Sequence, residues 1–301
     1  MSSETRNVTW TIGRATIGSL PTQDGTLTYN GTTNDNGTAQ TPSWTGYDAT
    51  KMTLTVTAQA NAGTYTATFT PLANYQWWDG TTTSKSAEWV IERQSIDRVT
   101  ASSTAFDYDG STHIPTFADY NANTSLMSGT TAAQSAVGNY ATMFTPLSNF
   151  QWNSGSDTTG TITIAWNIVS TAVSLPTQSG TLTYSKSQQE PSWNNYNSAQ
   201  LTIGGVTQGT NAGTYIATFT PNTGYTWAGG GTEARNAEWV IDKAKVTLPT
   251  QTNTLTYDGT VQEPVWSAYD PDALTLGGVT QGTDAGDYTA TFTPTANYEW
   301  A

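Results

Sequence analysis

The sequence predicts an all-β protein made of four tandem small antiparallel β-sandwich modules, of which the last lacks its closing strand. Three observations predict it. One proline motif recurs at Pro71, Pro146, Pro221 and Pro294, which gives a repeat of 73 to 75 residues. The strand before each proline alternates apolar and polar side chains, and turn signals without a helical period separate the short apolar runs.

Composition excludes several functional classes. The formal charge is −13, which argues against nucleic acid and anionic membrane as partners. No stretch approaches the roughly 20 apolar residues of a membrane helix, so membrane insertion is not expected. The chain has no cysteine, which excludes disulfides and thiol chemistry. Four glycosylation sequons, at Asn7, Asn30, Asn36 and Asn123, are what a chain rich in Asn and Thr contains by chance.

The clearest strand ends at the recurring proline. In its first copy Tyr65, Ala67 and Phe69 alternate with threonines, the pattern of a strand with one buried and one solvated face. The matching apolar-position sets are Tyr140/Thr142/Phe144, Tyr215/Ala217/Phe219 and Tyr288/Ala290/Phe292. Each module therefore contributes one half-buried strand at this position.

Shorter elements precede and follow that strand. A Leu-Pro-Thr-Gln motif begins at Leu20, Leu175 and Leu248, and a Thr-Leu-Thr-Tyr motif ends at Tyr29, Tyr184 and Tyr257. Gly-containing turn pairs follow in three modules, and a Pro-x-aromatic motif occurs in all four. The modules end in aromatic pairs: Tyr75/Trp77, Phe150/Trp152, Tyr225/Trp227 and Tyr298/Trp300. We expect six or seven strands in each module.

A strand centred on tryptophan completes the repeat. It occurs around Trp89, Trp166 and Trp239 after three modules, and around Trp10 before the first. No copy follows the fourth module in this sequence. The predicted boundaries are 1–15 for the N-terminal strand and 16–94, 95–172, 173–244 and 245–301 for the four modules.

The Gly-Thr-Tyr-x-Ala-Thr-Phe-Thr-Pro motif, followed by the Trp-x-Ile strand, resembles the immunoglobulin-like tandem repeats of bacterial and phage proteins. The resemblance covers almost the whole chain. It implies an immunoglobulin-like sandwich in a surface, fibre or virion protein. Such modules carry many functions, so the resemblance by itself indicates the fold rather than the activity.

Tryptophan register separates core positions from a candidate contact. Eleven of the twelve tryptophans fall at three fixed positions of the repeat, which favours packing in the core. Trp78 alone falls outside this register, in a loop beside Asp79 and Gly80. It is the candidate for an exposed contact with a glycan.

Catalysis is not expected, and neither is a cofactor or a metal. The single histidine, His113, stands in a turn with no marked partners for a nucleophilic site. The acid pairs Asp270/Asp272 and Asp284/Asp287 lack calcium-loop spacing and are expected to be turn residues. Spacing alone leaves a pair of carboxylates for glycoside hydrolysis open.

The spare first strand and the open last module together predict self-assembly. Val8, Trp10 and Ile12 share one face of a strand, and we expect them to fill a groove formed by Tyr288, Phe292, Tyr298 and Trp300 of a neighbouring copy. This predicts a head-to-tail homopolymer, a structural filament that is extracellular or attached to a virion.

Two alternatives remain open. The chain is a phage decoration protein or a cell-surface adhesin that binds cell-surface or environmental glycans, or it is a fragment of a longer immunoglobulin-like array. A fragment of such an array could equally begin with a spare tryptophan strand and end with a module that lacks one.

Overall fold

The protein is all-β, as the sequence predicts. The computed structural model describes residues 1–120 and 125–301, and the sequon at Asn123 lies outside them. The described residues form 28 short strands and no helix, so none of their segments is a helix able to cross a membrane. The strands recur as tandem β-sandwich modules, which confirms the predicted fold class.

The first two modules contain sixteen strands. Those of the first are β1 (Ala15–Ile17), β2 (Thr22–Asp24), β3 (Leu27–Thr28), β4 (Ser43–Thr45), β5 (Met52–Thr55), β6 (Gly63–Pro71), β7 (Tyr75–Trp77) and β8 (Lys85–Glu92). Those of the second are β9 (Gln94–Ile96), β10 (Thr100–Ala101), β11 (Ala105–Asp107), β12 (Phe117–Ala118), β13 (Met127–Thr130), β14 (Gly138–Pro146), β15 (Phe150–Trp152) and β16 (Ile162–Val169).

The third module has eight strands and the fourth has four. Those of the third are β17 (Thr171–Val173), β18 (Thr177–Ser179), β19 (Leu182–Thr183), β20 (Ser192–Asn194), β21 (Leu201–Gly205), β22 (Gly213–Pro221), β23 (Tyr225–Trp227) and β24 (Arg235–Asp242). Those of the fourth are β25 (Ala244–Val246), β26 (Leu274–Gly278), β27 (Ala290–Pro294) and β28 (Tyr298–Trp300).

A complete module places a four-stranded sheet against short strand pairs. In the first module the sheet order is β3-β8-β6-β5, and the pairs are β1-β7 and β2-β4. The third module repeats this order with β19-β24-β22-β21. The closing strand β8 lies antiparallel to β6 and parallel to β3.

The parallel pairs, of which the first and third modules each have two, were not anticipated from the sequence. β1 runs parallel to β7, and β3 runs parallel to β8. The partners in each pair lie far apart in the chain and are joined through other strands, whereas the turn motifs report only on hairpins between neighbours.

The core lies between the layers and is largely aromatic. Phe69, Trp77 and Trp89 are fully buried, and Phe219, Trp227 and Trp239 repeat them in the third module. Trp44 meets Phe69 edge to face with ring centroids 4.9 Å apart, and Trp193 meets Phe219 at the same distance. Tryptophans at fixed repeat positions therefore pack the core in the complete modules, as predicted.

The chain divides into two compact units. One comprises Met1–Phe106 with Thr112–Ile168, and the other comprises Asp107–Ser111 with Val169–Ala301. Each unit has its own cluster of buried side chains. The boundaries of the four individual modules stay a prediction.

Replacing Phe219 tests the importance of this aromatic core. Phe219→Ala is expected to destabilise its sheet by about 3 to 5 kcal/mol, because a fully buried ring is lost. Hydrogen exchange measured by mass spectrometry should show that protection of β22 amides falls by about 100-fold or more. Thr214→Ala, at an exposed position of the same strand, should change stability by less than about 0.5 kcal/mol. Equal protection in the two variants would contradict this account of the core.

Candidate functional site

In the complete modules, the tryptophan strand closes the sandwich. Trp239 lies opposite Tyr215 across the β22-β24 pair, and the two rings stack with centroids 4.5 Å apart. Tyr65 and Trp89 repeat the contact at 5.0 Å. The Trp239 indole Nε1 also donates a hydrogen bond to the Val206 carbonyl at 2.7 Å. Ring contact and strand pairing thus hold the closing strand together.

A glutamine side chain forms two hydrogen bonds with the backbone of the closing strand. Gln23 donates from Nε2 to the Val90 carbonyl at 3.0 Å and accepts from the Val90 amide at 2.8 Å. Gln178 makes the same two bonds to Val240, at the same distances. The side-chain amide makes the same pair of hydrogen bonds that a backbone amide group would make in a neighbouring strand. Since it contacts only backbone atoms, it can bind any residue at that position.

The fourth module keeps this framework but has no closing strand among the described residues. Its counterpart of the nine-residue β22 is the five-residue β27. Leu255 and Thr256, which correspond to β19, form no strand. The glutamine at this position, Gln251, donates instead to the Asn253 carbonyl at 2.7 Å. In the third module the counterparts of all three groups contact the closing strand β24.

An open groove occupies the position of that strand. It has a volume of about 660 Å³, and Gln251, Leu255, Tyr257, Trp266, Val279 and Tyr288 are among its lining residues. We call it the fourth-module groove. A smaller depression of about 540 Å³ lies beside Phe292 and Trp300. Trp300 beside the depression is 39% exposed, whereas its counterpart Trp227 in the third module is 1% exposed.

The predicted acceptor residues divide between three places. Tyr288 lines the fourth-module groove, and Phe292 and Trp300 line the smaller depression. Tyr298 instead packs edge to face against Tyr184, with centroids 5.3 Å apart. The sequence reasoning missed several lining residues, including Gln251, Leu255 and Val279. Their repeated Leu-Pro-Thr-Gln and Thr-Leu-Thr-Tyr motifs, and the Gly-Gly-Val-Thr-Gln-Gly shared by residues 204–209 and 277–282, could have identified them.

The side chains predicted as the donor are exposed. We call residues 7–13 the Trp10 segment. Val8 is 87% exposed, Trp10 77% and Ile12 79%, whereas Trp89, Trp166 and Trp239 are at most 4% exposed. The segment forms no strand, and β1 begins only at Ala15. It presents apolar side chains to solvent immediately before the first module.

Trp78 lies in a small charged cluster with Asp79 and Lys85. It is 50% exposed and meets Trp77 edge to face. The Lys85 Nζ lies 4.7 Å from the centroid of its ring and 2.6 Å from Asp79 Oδ2. The ammonium over the ring competes for a face on which a sugar could stack.

The acids considered for chemistry lie in turns and loops, and the histidine lies in an isolated β-bridge. His113 stacks on Phe106 with centroids 5.1 Å apart, and its backbone pairs with Gln134. Lys186 forms ion pairs with both Asp270 and Asp272. Over residues 1–120 and 125–301, no three His, Cys, Asp or Glu side chains are grouped so that they could hold a metal ion.

The cluster around Asp79 predicts a shifted titration. Hydrogen bonds from Lys85 and from Thr81 hold the Asp79 pKa well below its usual value. Its ion pair should therefore persist as pH falls to the ordinary aspartate pKa and break only below it. Carboxyl NMR titration should show that Lys85→Ala raises the Asp79 pKa.

Lys51→Ala is the matched control for this titration. Hydrogen bonds from Thr50, and then from its ion-pair partner Lys51, lower the pKa of Asp48 to about 2. Removing Lys51 should raise the Asp48 pKa and leave Asp79 unchanged. An Asp79 midpoint at the ordinary value in the unmodified protein would show that the ion pair does not form in solution.

Comparison with known proteins assigns no family. No family model matches the chain, and no curated protein does so either. The fourth-module groove and the Trp10 segment are the features from which a function can be argued.

Proposed function

We propose that the chain is a structural subunit of an extracellular or virion-attached filament. Each copy inserts its Trp10 segment into the fourth-module groove of the next copy. One observation carries the proposal: the groove lies where the other modules hold their own tryptophan strand, and an exposed copy of that strand precedes β1.

The register of the complete modules sets the register of insertion. Trp89, Trp166 and Trp239 each lie five residues before the next short strand, at β9, β17 and β25. Trp10 lies five residues before β1. Transferring the β22-β24 register places Trp10 opposite Tyr288, Val8 opposite Ala290 and Ile12 opposite Gly286.

Polar groups at the groove complement the inserted backbone. Tyr29 donates its amide hydrogen to the Glu92 carbonyl at 2.8 Å, and Tyr184 donates to Asp242 at 2.9 Å. At the same positions, the Tyr257 amide would meet the Gly13 carbonyl. Gln251 would grip the backbone of Thr11, as Gln178 grips Val240. These bonds resemble the strand addition by which sheet edges bind extended peptides.

Apolar burial provides the main driving force. Burying Val8, Trp10 and Ile12 contributes on the order of 5 to 9 kcal/mol before the cost of ordering the segment. Covering the groove also removes an exposed sheet edge, which would otherwise promote unspecific association. Donor and acceptor are different surfaces of one chain, so the contact is heterologous and produces an open polymer unless it closes into a ring.

The location rests on the resemblance to immunoglobulin-like repeats of bacterial and phage proteins. A weakly charged surface rich in threonine, with no cysteine, is compatible with that setting.

Trp10→Ala tests the proposal. Loss of the central ring should raise the concentration needed for assembly by at least about 100-fold, as expected for about 3 kcal/mol. Sedimentation velocity and negative-stain microscopy of the 301-residue chain measure this. Trp78→Ala removes another exposed tryptophan and should leave assembly unchanged. A chain that stays monomeric at every concentration, or that assembles equally well with Trp10→Ala, would refute strand donation.

A peptide provides a second arm. A synthetic peptide of residues 2–14 should cap the groove and shorten the polymers in proportion to its excess. The same peptide with Trp10→Ala should have little effect. Equal inhibition by both peptides would show that the groove does not select the tryptophan.

Glycan binding is the second candidate, favoured by the half-exposed Trp78. If the modules bind sugars there, a glycan array should show saturable binding that Trp78→Ala lowers at least about fivefold, since ring stacking contributes about 1 kcal/mol or more. Trp10→Ala is the control and should preserve binding. An array without saturable signal would remove this candidate.

A further inference from the structure

A second contact recurs next to the closing strands. The tyrosine that follows β3, Tyr29, packs edge to face on Phe150, with centroids 5.4 Å apart. Tyr184 packs on Tyr298 in the same way at 5.3 Å, as Tyr108 does on Tyr225. The first residue of one short strand thus receives an aromatic ring from the preceding module.

An asparagine reinforces two of these contacts. Asn149, before Phe150, accepts a hydrogen bond from the Ala62 amide at 2.8 Å and donates to Asn61 Oδ1 at 2.9 Å. Asn297, before Tyr298, repeats both bonds with Ala212 at 2.8 Å and Asn211 at 3.1 Å. Gly224 stands at this position before Tyr225. Asparagine and aromatic residue together recognise one end of the preceding module.

Both halves of this contact also occur at the outer modules. Tyr75 begins β7 and Asn74 precedes it, in the register of Phe150 and Asn149. Tyr257 follows the Leu-Thr pair of the fourth module, as Tyr29 does in the first. Tyr257 is 64% exposed, against 2% for Tyr29. Asn74 is exposed too.

The fourth module also presents the polar partners. Asp284 and Ala285 occupy the register of Asn61 and Ala62, and both are exposed. The Ala285 amide corresponds to the amide that Asn149 binds. A carboxylate at Asp284 can accept from an asparagine Nδ2, and a charged acceptor strengthens such a bond.

We propose that Asn74 and Tyr75 of one copy dock on Asp284, Ala285 and Tyr257 of the next, so that the contact between subunits reproduces the contact between successive modules. This inference rests on the proposed strand donation. Only Arg14 separates Gly13 from β1, so an inserted Trp10 segment brings β7 to the same end of the groove. The amide of Ala15 already binds the Asn74 carbonyl at 2.9 Å, as Gln94 binds Asn149 at 3.0 Å.

Thiol cross-linking separates the two contacts, because the natural chain has no cysteine. One mixture contains a chain carrying Asn74→Cys and a chain carrying Asp284→Cys. A cross-link between these two cysteines reports module docking. A second mixture joins Thr9→Cys with Thr289→Cys, which face each other in the register of Glu238 and Ile216, and reports strand insertion. A short bismaleimide links them, and peptide mass spectrometry identifies the joined residues.

Controls use the same chemistry. Asn211→Cys with Asn297→Cys in one chain should link within that chain, since the side chains are in contact. Thr275→Cys, at an exposed position of β26, replaces the acceptor cysteine in both mixtures and should link at least about tenfold less. The substituted positions 9, 74, 284 and 289 are all exposed, so the substitutions leave the core intact.

Linkage in both mixtures supports the inference. Strand linkage without docking linkage would overturn the inference and leave the proposed function standing. Docking linkage without strand linkage would support the inferred contact and overturn strand donation. Linkage in neither mixture would overturn both.

Discussion

Each complete module depends on the pairing of its tryptophan strand with the strand that ends in the recurring proline. The Tyr215–Trp239 stack places a fully buried indole against a partly buried phenol ring at the centre of a sheet that is only four strands wide. In so small a sandwich, one strand supplies a large share of the apolar area that stabilises the fold. Three features of the third module depend on the closing strand: the full length of β22, the strand β19 and the two hydrogen bonds of Gln178.

The fourth module shows what remains when that strand is not paired. The antiparallel pair of β26 and β27 is still present, with Leu276 opposite Phe292. These two strands bond to each other directly, so their pairing does not require the closing strand. The elements that face the groove lose their regular pairing, and Gln251 turns to a neighbouring carbonyl. In the proposed assembly, strand addition would therefore also order the acceptor, at a cost in conformational entropy that makes the contact selective.

The contact between modules reuses the same chemistry at a smaller scale. One aromatic ring and one asparagine recur where successive modules meet within the described units, at Phe150 with Asn149 and at Tyr298 with Asn297. A tandem repeat that recognises its own neighbour carries the means of recognising another copy of itself. Self-assembly by this route requires no surface that the repeat does not already contain.

The sequence by itself determined the fold class, the repeat and the alternation of Val8, Trp10 and Ile12 on which the proposed donor face rests, because alternation and fixed spacing are local properties. It also separated Trp78 from the tryptophans of the repeat. Only the tertiary structure decided which groups line the groove. Gln251 and Leu255 reach it from an irregular segment distant in sequence from Tyr288, and Tyr298, predicted as an acceptor, packs on Tyr184 instead. Parallel pairing and contacts between modules join residues that no short motif connects, so their geometry appears only in the folded chain.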